Sequence, residues 1–233
     1  MYIYIQFFST LILSILGKER EGKMLGYTEQ LFSKNKREVN NLRLKTFKQT
    51  KNLTVNPQAL YWNESDEKGI VLGIRDSNEK LISTMRIETL HNWKEVKEKL
   101  DYDFAYEHIH LPAGLLGKAV TDPSHQGLGL NTYLRYLAYP VLHQKGLQYV
   151  IGTVQPHAPR LSLLQKLGYT FVENKSGWSR FGYQSGGTTL VCILDLRKNF
   201  KNIMNTLKPL VQKNIRLYPE RLLTHDISKL SCI

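Results

Sequence analysis

Two short apolar runs in the N-terminal half of the chain form a clear local pattern. Residues 69–76 and 80–90 are rich in β-branched and aliphatic residues, and Ser77, Asn78 and Glu79 separate them. Runs of this length that are bounded by turn-forming residues are typical of β-strands. The pattern therefore predicts an antiparallel hairpin.

Apolar residues recur at helical spacing in four other stretches, and glycines or capping residues mark several of their ends. Asn92 is a suitable N-cap, and Glu95 stands three residues later in the capping-box position. Gly146 and Gly168 each follow a helical stretch, where a C-terminal glycine is common. The predicted helices cover residues 37–48, 93–100, 130–144 and 159–167.

The remaining apolar runs predict four further strands. They cover residues 115–121, 147–155, 169–173 and 188–196. A strand that turns through glycines into a helix and then a second strand favours a parallel pairing of the two strands. The predicted fold class is α/β, a mixed sheet with a central parallel pair and antiparallel flanks.

The composition changes on both sides of this predicted core. Residues 1–34 comprise an apolar N-terminal segment and a basic linker, and residues 198–233 are a basic C-terminal extension that we expect to be partly helical. The folded domain is predicted to cover residues 35–197.

The apolar segment, residues 1–17, lacks a basic start and a small-residue cleavage site. It is also shorter than the ~20 apolar residues that span a bilayer. Peripheral contact with a membrane therefore stays open, as does the alternative that translation begins at Met24. We expect a cytoplasmic protein, with membrane association through residues 1–17 as the alternative.

The stretch from Val120 to Asn131 carries the most chemical information. A strand that turns through Gly127 and Gly129 into a helix presents backbone N–H groups that have no partner within the helix. The helix dipole adds positive charge at the same end. This arrangement predicts an anion site, and a phosphate is its natural occupant.

Asp122 and Pro123, followed by His125-Gln126-Gly127-Leu128-Gly129-Leu130, resemble the acyl-donor loop of the GNAT superfamily of N-acyltransferases. Gln126 and Gly129 match the usual pattern, whereas Asn131 stands where a last small residue is expected. The resemblance implies a GNAT-like mixed sheet with a central parallel pair flanked by helices. It also implies that an acyl donor binds at Val120, Thr121, Gln126, Gly127, Leu128, Gly129, Leu130 and Asn131.

The donor implied by the resemblance is acetyl-CoA, a longer acyl-CoA or a phosphopantetheine-linked acyl carrier protein, used as a co-substrate. The acceptor is a primary amine, which attacks the thioester directly. Such attack needs a base for the amine and a donor group for the oxyanion. A catalytically silent protein that binds acyl-CoA or docks at a membrane is the alternative function.

Two residues that often serve as proton shuttles in this superfamily are replaced, by Leu115 and Leu164. Other titratable residues near the predicted strand ends are therefore candidates, and histidine titrates near neutral pH. The candidate catalytic residues are Glu107, His108, His110 and His157.

A narrower resemblance is to the branch of N-acyl amino acid synthases and acyl-homoserine-lactone synthases. It rests on Arg43 and Phe47, four residues apart on a predicted helix, and on Arg86 near the end of the hairpin. The resemblance implies that these three residues bind substrate. An amino acid acceptor and an acidic acyl carrier protein as partner follow from it.

The charge of the chain agrees with an anionic partner but does not identify it. Lys and Arg number 32 against 20 Asp and Glu, a formal net charge of +12. Nucleic acid ranks last among the partners because no zinc-finger spacing, RNA-recognition signature or basic heptad array is present. The two cysteines, Cys192 and Cys232, predict no disulfide scaffold and no metal site.

Overall fold

The computed structural model describes residues 26–49, 57–100, 108–174 and 189–214. Seven strands form one sheet in the order β1-β2-β3-β4-β5-β7-β6. All neighbouring strands are antiparallel except β4 and β5. The strands are β1 Gly26–Leu31, β2 Ile70–Asp76, β3 Leu81–Leu90, β4 Ala113–Thr121, β5 Tyr149–Val154, β6 Thr170–Asn174 and β7 Thr189–Asp195.

Helices cover both faces of the sheet. The described helices are α1 Lys36–Gln49, α2 Pro57–Leu60, α3 Glu64–Lys68, α4 Trp93–Leu100, α5 Leu130–Gln144, α6 Leu161–Lys166 and α7 Leu196–Asn214. Apolar residues of α5, α6 and α7 share one core cluster with Met85 and Ile87 of β3. Residues of α1 and α4 pack on the opposite face, against Val71 and Leu90 respectively. We call these the α5 face and the α1 face.

The parallel pair is short, and the two strands then separate. Ala113, Gly114 and Leu115 of β4 pair with Tyr149, Val150 and Ile151 of β5, and no later pair forms between these strands within the described residues. Six further residues of β4 continue beyond Leu115 while β5 diverges. A gap therefore opens in the middle of the sheet.

A β-bulge interrupts β4 beside this gap. Arg86 pairs with Gly117 and Thr84 pairs with Val120, so two residues of β4, Lys118 and Ala119, lie opposite Met85 alone. Lys118 has a positive φ of 46°. A bulge re-aims a side chain, and here Gly117 and Lys118 both face the α1 face.

The predicted mixed sheet with its central parallel pair is confirmed, and so are the hairpin and the helix at Leu130–Gln144. The predicted N-cap is present, since the backbone N–H of Glu95 donates to Asn92 Oδ1 at 3.0 Å. The reciprocal half of the capping box differs, because Glu95 Oε2 accepts from the backbone N–H of His91, one residue before Asn92.

Three differences concern polar segments. Strand β1 lies in the predicted linker. The sequence did not reveal this strand, because its residues are mostly polar and its pairing with β2 is non-local. The short helices α2 and α3 were not predicted. The predicted domain boundary at residue 197 falls inside α7, whose Ile203, Leu207 and Val211 are buried in the main core.

The apolar segment of residues 1–17 lies outside the described residues. In the part of the chain that the structure describes, none of the helices combines the length and the apolar character needed to cross a membrane.

Candidate active site

The turn between β4 and α5 is anchored by a buried carboxylate. Asp122 is 1% exposed, and its carboxylate accepts hydrogen bonds from Lys45 Nζ at 2.8 Å and from Ser124 Oγ at 2.6 Å. Burial acts to raise the pKa of Asp122, but these hydrogen bonds outweigh it and hold the pKa well below its ordinary value. Asp122 thus stays ionised and fixes the turn.

The glycines of the turn take the backbone conformation that exposes its amides. Gly127 and Gly129 have φ values of 80° and 76°, in the left-handed region that favours glycine. Within the described ranges, no group accepts a hydrogen bond from the backbone N–H of residues 127–132, and the N–H of Tyr133 bonds to Gly129 O. Six consecutive amides therefore have no partner among the residues that the structure describes, and the geometry suits an anion.

The other residues predicted to bind the donor lie around these amides. Gln126 and Leu128 are exposed, whereas the side chains of Val120 and Leu130 are buried. The carbonyls of Val120 and Thr121 accept hydrogen bonds from Ser83 Oγ and Gln126 Nε2. Binding of the acyl donor by each of these residues stays a prediction.

A buried ion pair lies on the α1 face of the sheet. Arg43 of α1 and Asp66 of α3 are both fully buried, with Arg43 Nη2 2.7 Å from Asp66 Oδ1 and Nη1 3.0 Å from Oδ2. Burial lowers the pKa of Arg43, and the carboxylate opposes this effect. The predicted substrate residue Arg43 therefore makes a bidentate pair inside the protein.

Arg86 of β3 extends this pair into a cluster. Arg86 Nη1 lies 3.4 Å from Asp66 Oδ2, and Nη2 lies 2.5 Å from Glu88 Oε1. Lys99 Nζ of α4 reaches Glu88 Oε2 at 3.0 Å. Gly117 stands opposite Arg86, and a Cβ built there would be 3.8 Å from both Arg86 Nη2 and Glu88 Oε1. Gly117 has no side chain, so the backbone of β4 passes close to Arg86 and Glu88, which are 5% and 7% exposed.

Lys118 adds an amine to the cluster from the bulge of β4. Its Nζ donates to the carbonyl of Tyr61 at 3.0 Å and lies 3.5 Å from Asp66 Oδ2. Burial lowers the pKa of Lys118 to about 7, with Arg43 and Arg86 contributing and Asp66 opposing. A large fraction of this amine is therefore unprotonated near neutral pH.

We call this group the ionic cluster, and it has an excess of positive charge. Four of its side chains are basic and two are acidic. Its members are Arg43, Asp66, Arg86, Glu88, Lys99 and Lys118.

The ionic cluster does not include the remaining predicted residues. Phe47 is partly buried and packs beside the apolar residues under α1. His108 and His110 are exposed and precede β4, so the length of that strand, roughly 30 Å, separates them from the glycine turn. His157 is exposed between β5 and α6, and Glu107 lies outside the described residues. Their catalytic roles stay predictions.

Sequence reasoning missed Asp66, Glu88 and Lys118. A usable signal existed for Glu88, because Arg86 and Glu88 are the charged residues of this strand and sit two apart, which places both on one face. No comparable signal marks Lys118, since its orientation depends on the bulge.

A split parallel pair, with a glycine turn starting a helix at the open end of the split, defines the GNAT fold. The chain has this fold, as the sequence predicted. No protein-family model and no curated protein matches the sequence.

Solved structures share the fold at low sequence identity. One is FeeM, an N-acyl amino acid synthase from uncultured soil microbes, with a TM-score of 0.58 and 11% identity over 77% of this chain and 95% of that chain. Another is the ribosomal-protein-S5-alanine acetyltransferase from Vibrio fischeri, with a TM-score of 0.53 and 13% identity over 78% and 99%. A chain of the NatC complex bound to Gag peptide and CoA gives 0.53 and 12% over 74% and 99%.

Proposed function

We propose that the protein is an N-acyltransferase that moves an acyl group from a thioester to a primary amine. The observation that carries this proposal is the gap between β4 and β5, which has unpartnered amides at one end and the ionic cluster on its α1 face. A donor and an acceptor can enter such a gap from opposite faces. The acetyltransferases and the N-acyl amino acid synthase with the same fold support the proposal.

The donor is proposed to bind through its phosphates at residues 127–132. Backbone amides at a helix start favour negative charge, and the two left-handed glycines let a phosphate approach closely. Coenzyme A and the phosphopantetheine arm of a carrier protein both supply phosphate. Arm and thioester would then run along β4 past Thr121 and Val120.

The acceptor is proposed to be an amino acid or a similar amine that carries a carboxylate. The ionic cluster has more basic than acidic groups, so an additional carboxylate is favoured there. Arg86 lies opposite Gly117 and is the proposed partner of that carboxylate.

The reaction needs one proton to leave the amine and one to reach the sulfur. The amine nitrogen attacks the thioester carbonyl carbon, the C–S bond breaks, and the products are an amide and a thiol. The unprotonated amine of Lys118 is placed to accept the proton from the acceptor, because it faces the same side of the gap as Arg86.

A silent binding protein is the second candidate, and Leu164 is the observation that favours it. Leu164 stands where the resemblance places a tyrosine that protonates the leaving thiol, and it is 2% exposed in an apolar setting. Thiol release separates the two functions. An enzyme frees thiol from acyl-CoA in proportion to added amino acid, whereas a binding protein keeps the thioester intact.

The donor site is tested by exchanging Gly129 for two residues of nearly equal shape. Asn and Asp both tolerate a positive φ, so Gly129→Asn and Gly129→Asp differ mainly in one negative charge. We expect calorimetry to show that coenzyme A binds Gly129→Asp roughly 10- to 100-fold more weakly than Gly129→Asn, since a carboxylate would repel the phosphates. Equal affinity of the two variants would contradict a phosphate site at this turn.

A further inference from the structure

A small cavity lies at the split between β4 and β5, on the α5 face and opposite the ionic cluster. Its volume is about 30 Å³, room for roughly two water molecules. Both strands contribute to its wall, together with helix α5, the start of α6 and strand β7. The lining includes Leu116, Arg135, Gly152, Arg160, Leu164 and Cys192.

Two guanidinium groups face this cavity without a carboxylate partner. Arg135 is 6% exposed, and its Nε donates to Asn131 Oδ1 at 3.0 Å. For Arg160, no side-chain hydrogen bond and no ion pair is found among the described residues. This contrasts with Arg43, Arg75 and Arg86, each of which has a carboxylate within 3.4 Å.

The electrostatic cost of this arrangement is visible in Arg160. Burial lowers the pKa of Arg160 to about 10, and the positive charge of Arg135 lowers it further. Arg135 is buried and Arg160 is partly exposed, and like charges in such surroundings are costly unless an anion joins them. Within the described ranges no side chain supplies that anion, and the planar guanidinium fork matches the carboxylate of a ligand.

The position of the cavity indicates which part of a ligand would bear the carboxylate. Leu116 is the first residue of β4 beyond the last parallel pair, and Gly152 is the corresponding residue of β5. The acyl end of a thioester that enters from the glycine turn would reach this point. The small volume admits a short polar group and leaves no room for a long alkyl chain.

We propose that Arg135 and Arg160 bind a carboxylate at the free end of a short acyl group, so that the preferred donor is the thioester of a dicarboxylic acid. This inference rests on the proposed function, because it takes the acyl group to lie in the gap. The inference narrows the proposed donors from acyl thioesters in general to malonyl, succinyl and glutaryl thioesters. Monocarboxylic donors would leave the two guanidinium groups unpaired.

The test compares two donor analogues that have nearly the same shape. The probes are non-hydrolysable thioether analogues of succinyl-CoA and of its terminal amide, with free coenzyme A as the reference. We expect calorimetry on the unmodified protein to show at least roughly tenfold tighter binding of the carboxylate analogue. Equal binding of the two analogues, with coenzyme A itself bound, overturns the inference and leaves the proposed function intact.

Failure of coenzyme A to bind would overturn the proposed function first, and the inference with it. Because the decisive comparison uses the unmodified protein, the folding of a variant does not enter it. Arg160→Met should then reduce the preference for the carboxylate below roughly threefold. Arg197→Met, at an exposed position of α7, is the matched control and should keep the preference.

The alternative role for Arg135 and Arg160 is to stabilise the departing thiolate, which is also an anion. The comparison of the two analogues separates this role from binding of a carboxylate. A sulfur-directed role predicts no preference of the unmodified protein between the carboxylate and amide analogues. It also predicts that Arg160→Met weakens both analogues equally. Either result contradicts a carboxylate site.

Discussion

Lys118 shows how one residue acquires its chemistry from its position. The bulge in β4 turns its side chain to the α1 face, where Arg43 and Arg86 already carry positive charge. Burial there lowers the pKa of Lys118 to about 7. A lysine in the unfolded chain has a pKa near ~10.4, so the folded protein favours its neutral form.

This shift makes stability depend on pH in a defined direction. Between pH about 7 and pH about 10 the unfolded chain binds more protons at Lys118 than the folded protein, so the free energy of unfolding rises with pH. We expect urea unfolding at about pH 6.5 and about pH 9 to show this rise, by roughly 1–3 kcal/mol, relative to Lys118→Met. Identical pH profiles of the two proteins would mean that Lys118 titrates normally.

At the scale of elements, α1 holds the two halves of the site together. Arg43 of α1 pairs with Asp66 of α3, and Lys45 of the same helix bonds to Asp122 in the turn before α5. The first contact belongs to the ionic cluster and the second to the proposed donor site. A shift of α1 against the sheet would therefore affect both the ionic cluster and the proposed donor site.

Asp66→Asn tests how strongly α1 depends on the ion pair. Removal of the carboxylate charge leaves the guanidinium of Arg43 buried without a counter-ion, and breaking such pairs costs roughly 3–5 kcal/mol. We expect a loss of that order in the free energy of unfolding, measured by denaturant titration. Glu64→Gln on the same helix is the control, since Glu64 and its partner Lys68 are exposed, and it should leave the transition midpoint in place. Similar effects of both changes would rule out a special role for the buried pair.

At the scale of the whole molecule, the sheet separates two faces that we propose to bind ligands. The α5 face carries the cavity with Arg135 and Arg160, and the α1 face carries the ionic cluster. The gap between β4 and β5 connects them. The chain has a formal net charge of +12, which attracts anionic partners over distance.

The net charge leads to a prediction for an acyl carrier protein as donor. Complementary charge between two proteins acts mainly on the rate of encounter and is screened by salt. We expect kcat/KM with an acyl-loaded acidic carrier protein to fall roughly tenfold between about 50 mM and about 500 mM NaCl, with kcat nearly constant. The same titration with the matching acyl-CoA is the control. A carrier-protein profile that is independent of salt would argue against an electrostatic encounter.

Much of the fold was predictable from the sequence because its signals are local. The hairpin of β2 and β3, the N-cap at Asn92 and the helix at Leu130–Gln144 each depend on neighbouring residues, and the structure confirms them. The glycine turn belongs to the same class, since a left-handed φ at Gly127 and Gly129 is a property of the residue.

The partners within the site were decided only by the tertiary structure. Asp66 meets Arg43 from 23 positions away, and Lys118 joins them because β4 carries one extra residue against β3. Arg135 and Arg160 share a cavity because α5 and α6 pack on the same face of the split. The sequence by itself determined most of the longer elements and the glycine turn, since these follow from local spacing. The charges that surround the gap depend on strand register and helix packing, which bring distant residues together.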